Sequence, residues 1–141
     1  MDMNRLLRYL VRRGLISSSA KIIKLSNQGL SGEVYSLDSE GDHFILKFYR
    51  DRNEKKIAKI MHIYRYLSDS GVPVPEVYIA DIKGRVSGRP FLLMQKLKGE
   101  KFSSLLKKGK GKDFVKALAS SLHKLHSVDV EKLDVDVPNK R

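Results

Sequence analysis

Apolar residues recur at helical spacing over residues 3–13, where Leu6, Leu7, Leu10 and Val11 share a stripe among Arg5, Arg8, Arg12 and Arg13, and Gly14 supplies a stop. The period then changes. Residues 21–25, 33–37 and 43–49 alternate or run apolar, and they are separated by Gly29 and Gly32 and by Asp38-Ser39-Glu40-Gly41-Asp42, a pattern that predicts three antiparallel strands. Residues 53–70 return to helical spacing through Ile57, Ile60, Met61, Tyr64 and Leu67, with Gly71 as the stop, and this helix is expected to lie on the sheet. Val72-Pro73-Val74-Pro75 must be extended, because each proline sets its own φ and disfavours the helical region for its predecessor. A strand over 76–82, turn residues 83–89 and an apolar strand over 90–97 complete five strands. Beyond them the pattern predicts a short helix over 102–106, a mobile basic loop over 107–112, a helix over 113–126 striped by Phe114, Leu118, Leu122 and Leu125, and a weakly ordered tail from 129. The fold class is therefore α+β: a five-stranded antiparallel sheet with one long packed helix, a short helix before it and a trailing helix after it.

Composition narrows the setting. The chain has 141 residues, the size of one ordinary domain, and contains no apolar run approaching the ~18 residues of a membrane span. Its first residues lack the apolar core of a signal peptide, and with no cysteine it cannot hold disulfides, thiol nucleophiles or thiolate-bound metal, so a cytoplasmic protein is expected. The net charge of +12 favours anionic partners without choosing among nucleotide, nucleic acid and membrane surface, and it also suits a merely solvated, lysine-rich surface. The basic first helix could meet a membrane or RNA, although at this length packing onto a sheet is the simpler use. No aromatic residues interleave with its arginines or with the lysines of 107–112, so base stacking is unsupported there.

The chemistry concentrates in Asn27-Gln28-Gly29-Leu30-Ser31-Gly32-Glu33-Val34 and in Phe44-Ile45-Leu46-Lys47-Phe48-Tyr49. A phosphate needs several N–H donors close together with no side chains in the way; Gly29 and Gly32 provide the backbone freedom, Ser31 adds a hydroxyl, and Val34 is placed to cover one face of an adenine. Lys47 lies in a run that alternation would half bury, and a charge there needs a partner, for which phosphate oxygens are suited. The bland alternative is an edge-strand lysine whose head reaches water. Elsewhere, His123 and His126 share a helical face but lack a third ligand, His43 and His62 look isolated, and Ser17-Ser18-Ser19 and Ser103-Ser104 lack a nearby base, so no metal site or nucleophile is expected.

Five segments in order, LSNQGLSGEVYSL, FILKFY, SGVPVPEV, GRPFLLMQKLKGE and LHKLHSVD, resemble the N-terminal, ATP-binding lobe of the aminoglycoside phosphotransferase family of protein-kinase-like small-molecule kinases. SGEVY and ILKFYR are also similar to protein kinases, RIO-type kinases and a small archaeal kinase, while the Val-Pro-Val-Pro run with LHKLHS favours the phosphotransferases. The resemblance implies that Gly29, Leu30, Ser31 and Gly32 cover the phosphates, Val34 the base, and Lys47 the α- and β-phosphates. Met94 would border the adenine, and the backbone of Gln95, Lys96 and Leu97 would meet its edge. The resemblance runs from about Ile23 to Asp129, and the expected organisation is residues 1–20 as a helix and linker, 21–99 as the nucleotide-binding lobe, 100–128 as helices after the hinge, and 129–141 as a weakly ordered tail.

Two departures qualify it. The family's lysine-orienting glutamate falls at Ile60; Glu54 shares the sheet-facing stripe at steps of three, seven and ten from Ile57, Met61 and Tyr64, and is the substitute, though roughly 9 Å further along the axis. The His-Gly-Asp catalytic run and the later metal-binding aspartate belong to a C-terminal lobe and have no match among Asp129, Asp134, Asp136 and Asn139. The expectation is an ATP-binding lobe without catalytic or metal-binding residues of its own, a fragment or truncated protein inactive alone, with Mg²⁺ required only alongside the missing lobe. A C-terminal lobe, or self-association, would cover the 113–126 stripe. The alternative is a non-catalytic basic module that binds RNA or a protein partner on the same scaffold.

Overall fold

The computed structural model describes residues 1–25, 32–99, 102–109, 111–129 and 131. Its elements are α1 (Met3–Arg12), β1 (Lys21–Lys24), β2 (Gly32–Ser39), β3 (Asp42–Tyr49), α2 (Glu54–Asp69), β4 (Val77–Asp81), β5 (Phe91–Gln95), α3 (Phe102–Lys107) and α4 (Gly111–His126). The strands form one five-stranded sheet in the order β1-β2-β3-β5-β4, antiparallel at every pairing. The expected α+β architecture is present. Its last strand stops at Gln95 instead of continuing to Leu97. α4 starts at Gly111, inside the expected basic loop, where Asp113 in the first turn suits the positive end of the helix dipole.

Local chemistry explains the boundaries. Asp2 caps α1 by accepting the Arg5 N–H at 2.9 Å, and Gly14 (φ +68°) and Gly71 (φ +74°) take left-handed conformations just past α1 and α2. β2 and β3 are joined by Glu40 and Gly41, both at positive φ, the two-residue hairpin turn whose twist matches that of the strands.

The chain divides into two compact units, Met1–Ala58 with Pro75–Lys96, and Lys59–Val74 with Leu97–Arg141. In the first, successive strand residues point to opposite faces of the sheet, so one face carries Leu37, Phe44, Leu46, Phe48, Phe91 and Leu93. These side chains are buried in one cluster with Leu6 and Leu10 of α1 and with Ile16. The first helix thus packs on the sheet, as its length suggested, and its N-terminus is held there by the Asp2 N–H donating to Ser87 O at 2.9 Å. Ile57, in the part of α2 belonging to this unit, is also fully buried. In the second unit α3 contacts α4, and the Tyr66 hydroxyl donates to Asp129 O at 2.7 Å.

Candidate nucleotide-binding site

The face of the sheet opposite α1 carries the expected lysine. Directly opposed residues of antiparallel strands share a face, and the register pairs Val34 with Lys47 and Lys47 with Leu92. A neighbouring row holds Ser36, Ile45 and Met94. Leu92 and Met94 are buried as the floor, while Val34, Ile45 and Lys47 are half-buried. The result is a largely apolar bed that carries Lys47, with Lys96 at its Ser36 end, and it suits a flat apolar ring beside an anion.

Lys47 reaches over Tyr49 on the same face, its Nζ 5.2 Å from the ring centroid. Among the described residues no carboxylate lies within ion-pair distance of it. Glu54, the substitute for the orienting glutamate, has its carboxylate 3.8 Å from Lys83 and is not brought to Lys47. Its place at the start of α2 puts it beside the turn after β4, a neighbourhood that the helical stripe alone did not reveal.

Gly29, Leu30 and Ser31 lie outside the described residues. Gly32, the last residue of the expected phosphate loop, begins β2 opposite Tyr49, and a Cβ there would run into the carbonyl group of Phe48. Close approach of two backbones therefore requires this glycine, whatever ligand lies nearby. At the far end of β5 the main chain is partly committed: the Gln95 N–H donates to Glu76 O at 2.8 Å and the Lys96 N–H to His43 O at 3.3 Å. Leu97 opens the second unit.

Two polar networks lie on the two faces of the sheet, and sequence reading missed both. On the α1 side, the Glu33 carboxylate accepts from Arg89 Nη1 at 2.8 Å, Lys24 Nζ at 2.9 Å and the Tyr35 hydroxyl at 2.9 Å. These bonds, the one from Arg89 foremost, hold the Glu33 carboxyl at about 2, well below its ordinary value. Arg89 also lies over the Phe48 ring, its guanidinium carbon 5.8 Å from the centroid. On the Lys47 side, Asp38 Oδ1 lies 2.6 Å from His43 Nδ1 and 3.5 Å from Lys96 Nζ, and Lys96 donates to the buried Ser36 hydroxyl at 2.8 Å. The hydrogen bond with His43, followed by the charge of Lys96, lowers the Asp38 carboxyl below its usual range. His43 is thus not isolated as expected. The signal was available in the cross-strand pairing of Asp38 with His43 around the Glu40-Gly41 turn.

The phosphotransferase enzyme family matches residues 22–140. Among solved structures, aminoglycoside phosphotransferase APH(4)-Ia is similar at 16% identity and a TM-score of 0.64, covering 89% of this chain and 40% of that one. A thermostable mutant of that enzyme, in ternary complex with ADP and hygromycin B, matches at the same identity and TM-score. A Ralstonia eutropha protein provisionally described as an aminoglycoside phosphotransferase is similar at 18% identity and a TM-score of 0.56, covering 70% of this chain and 29% of that one. The chain therefore spans two fifths or less of the length of these proteins. No curated protein sequence matches it significantly. With most of its length matched and with the five-stranded sheet in place, this chain belongs to the phosphotransferase enzyme family.

Proposed function

We propose that this chain is the ATP-binding lobe of a kinase-like phosphotransferase, which transfers the γ-phosphoryl group of ATP to a hydroxyl of a small molecule in the cytosol. The observation that carries this reading is Lys47: a half-buried ammonium in one row with Val34 and Leu92, with no carboxylate partner among the described residues. A cation held against an apolar bed gains from an anion whose attached ring covers that bed, and a nucleoside triphosphate supplies both. The bound ADP in a structure of the same fold supports the choice of nucleotide.

On this reading Val34 and Ile45 cover the base and Met94 borders it. Lys47 neutralises the α- and β-phosphates. The main chain around Gln95 and Lys96 meets the base edge. Glu54 does not orient the lysine here, because its carboxylate faces Lys83. Among the described residues no group of three His, Cys, Asp or Glu converges to hold a metal. The carboxylates of the described residues do not gather into a site for a protein-held Mg²⁺, and the positioning and metal-binding carboxylates that phosphoryl transfer requires belong to the family's other lobe. The chain alone is expected to bind ATP without turning it over.

Calorimetric titration with ATP tests the reading. Lys47→Ala should weaken binding about tenfold or more, the scale of one lost charge-assisted contact, with the circular dichroism spectrum unchanged. Equal affinity of Lys47→Ala and the parent chain would overturn it.

A further inference from the structure

A second cationic site lies on the other side of the sheet. Arg5, Arg8, Tyr9 and Arg12 of α1, with Arg85 and Val86 of the turn between β4 and β5, line a groove of about 520 Å³. No acidic residue lines it, and among the described residues none of the four arginines is paired with a carboxylate. Four guanidinium groups around one concavity repel one another, a cost that an anionic ligand removes. The chain has 18 lysines to 10 arginines, yet every cation of α1 is an arginine, the side chain whose planar fork grips phosphate bidentately.

Three observations select the ligand. Leu6 and Leu10, the apolar stripe that a membrane-bound helix would insert into lipid, are fully buried in the core, so α1 has no apolar face left for a bilayer. Arg5, Arg8 and Arg12 follow one another along a single stripe, about 4.5 and 6 Å apart along the axis, a linear array that suits successive phosphates of a strand better than one compact anion. Tyr9 stands between Arg8 and Arg12 and lines the groove, which corrects the expectation that no aromatic interleaves with these arginines. Its ring is half-buried against the core and carries Arg13 on one side at 5.4 Å. An aromatic fixed among cations is a stacking platform.

We infer that this groove binds the phosphodiester backbone of a single-stranded nucleic acid, with a base on Tyr9. The site is independent of Lys47 and of the proposed nucleotide site. Its test is fluorescence anisotropy with a fluorescein-labelled twelve-nucleotide polyuridine, titrated with the full chain at several KCl concentrations. The expected slope of log affinity against log salt is about −2 to −3, or about −0.7 for each of three to four phosphates. Arg8→Ala/Arg12→Ala should weaken binding at least tenfold and make the slope shallower by about 1.4. Arg85→Ala, off the helix, should make it shallower by about 0.7. Tyr9→Leu should weaken binding several-fold with the slope unchanged, and Lys47→Ala should leave it untouched. The charge-matched control Lys112→Ala/Lys116→Ala should change affinity less than twofold. The inference is overturned if the control loses as much as Arg8→Ala/Arg12→Ala, if tripolyphosphate displaces the oligonucleotide at an equal phosphate concentration, or if phosphatidylserine vesicles bind and the oligonucleotide does not. Unchanged binding in both Arg85→Ala and Arg8→Ala/Arg12→Ala would overturn it as well.

Discussion

At the scale of single residues, the structure separates side chains that build the sheet from those left over for a ligand. Gly32 belongs to the first group. A methyl at this position would meet the Phe48 carbonyl, a backbone atom that cannot rotate away as a side chain could. Gly32→Ala is therefore expected to destabilise the chain by about 1–3 kcal/mol through overpacking between β2 and β3. Chemical denaturation of the two chains side by side checks this, and equal midpoints would show that the strands part without cost. Lys47 belongs to the second group, since its row-mates are apolar and its nearest described partner is the face of an aromatic ring. That contrast is why Lys47→Ala should act on ATP affinity and Gly32→Ala first on stability.

Among the elements, Glu33 is the tie. Its carboxylate joins Lys24 of β1 and Tyr35 of β2 to Arg89, which precedes β5 in sequence and also donates to Tyr49 O of β3 at 3.4 Å. One acidic side chain thus ties β1 and β2 to Arg89, and through Arg89 to β3, on the α1 side of the sheet. The folded-state value of about 2 lies below the ordinary 4.5, so the ionised form is the one that the fold favours. The resulting stability is fully present above the unfolded-state value and is lost as the pH falls from about 4.5 towards 2. Glu33→Gln should cost about 1–2 kcal/mol at neutral pH, with the partial exposure of these partners keeping the figure modest. Thermal midpoints of Glu33→Gln and the parent should converge as the pH is lowered through this window; curves that stay parallel down to pH 2 would refute the assignment.

For the molecule as a whole, the second unit carries an apolar face that is exposed among the described residues. Val115, Leu118, Leu122 and Leu125 of α4 are each more than two fifths exposed, and among the described residues α4 has none that is buried. An apolar row of this kind on a helix draws another surface to it in water. The chain by itself is expected to self-associate through α4, and Leu118→Glu/Leu122→Glu to return it to a monomer with helix content preserved. Light scattering after size exclusion decides the matter, with a monodisperse parent monomer at high concentration as the adverse result. In the first unit the arginine groove lies on the α1 side of the sheet, and the opposite face carries Lys47 in its apolar bed. Two cationic features thus lie on opposite faces of one sheet.

The strands, helices and their order were legible in the sequence because they rest on local signals: period two against period 3.6, and glycines where the chain must turn left-handed. Lys47 was legible for the same reason, as a cation inside an alternating apolar run. Partners distant in sequence were not. That Arg89 meets Glu33 fifty-six positions away, that Glu54 turns to Lys83, and that Arg85 completes a groove with α1 depend on which strand lies beside which. The pattern of apolar positions specifies that each face of the sheet is filled. It does not specify the register that sets one charge opposite another, and that register arises only when non-local strands pair and the core closes.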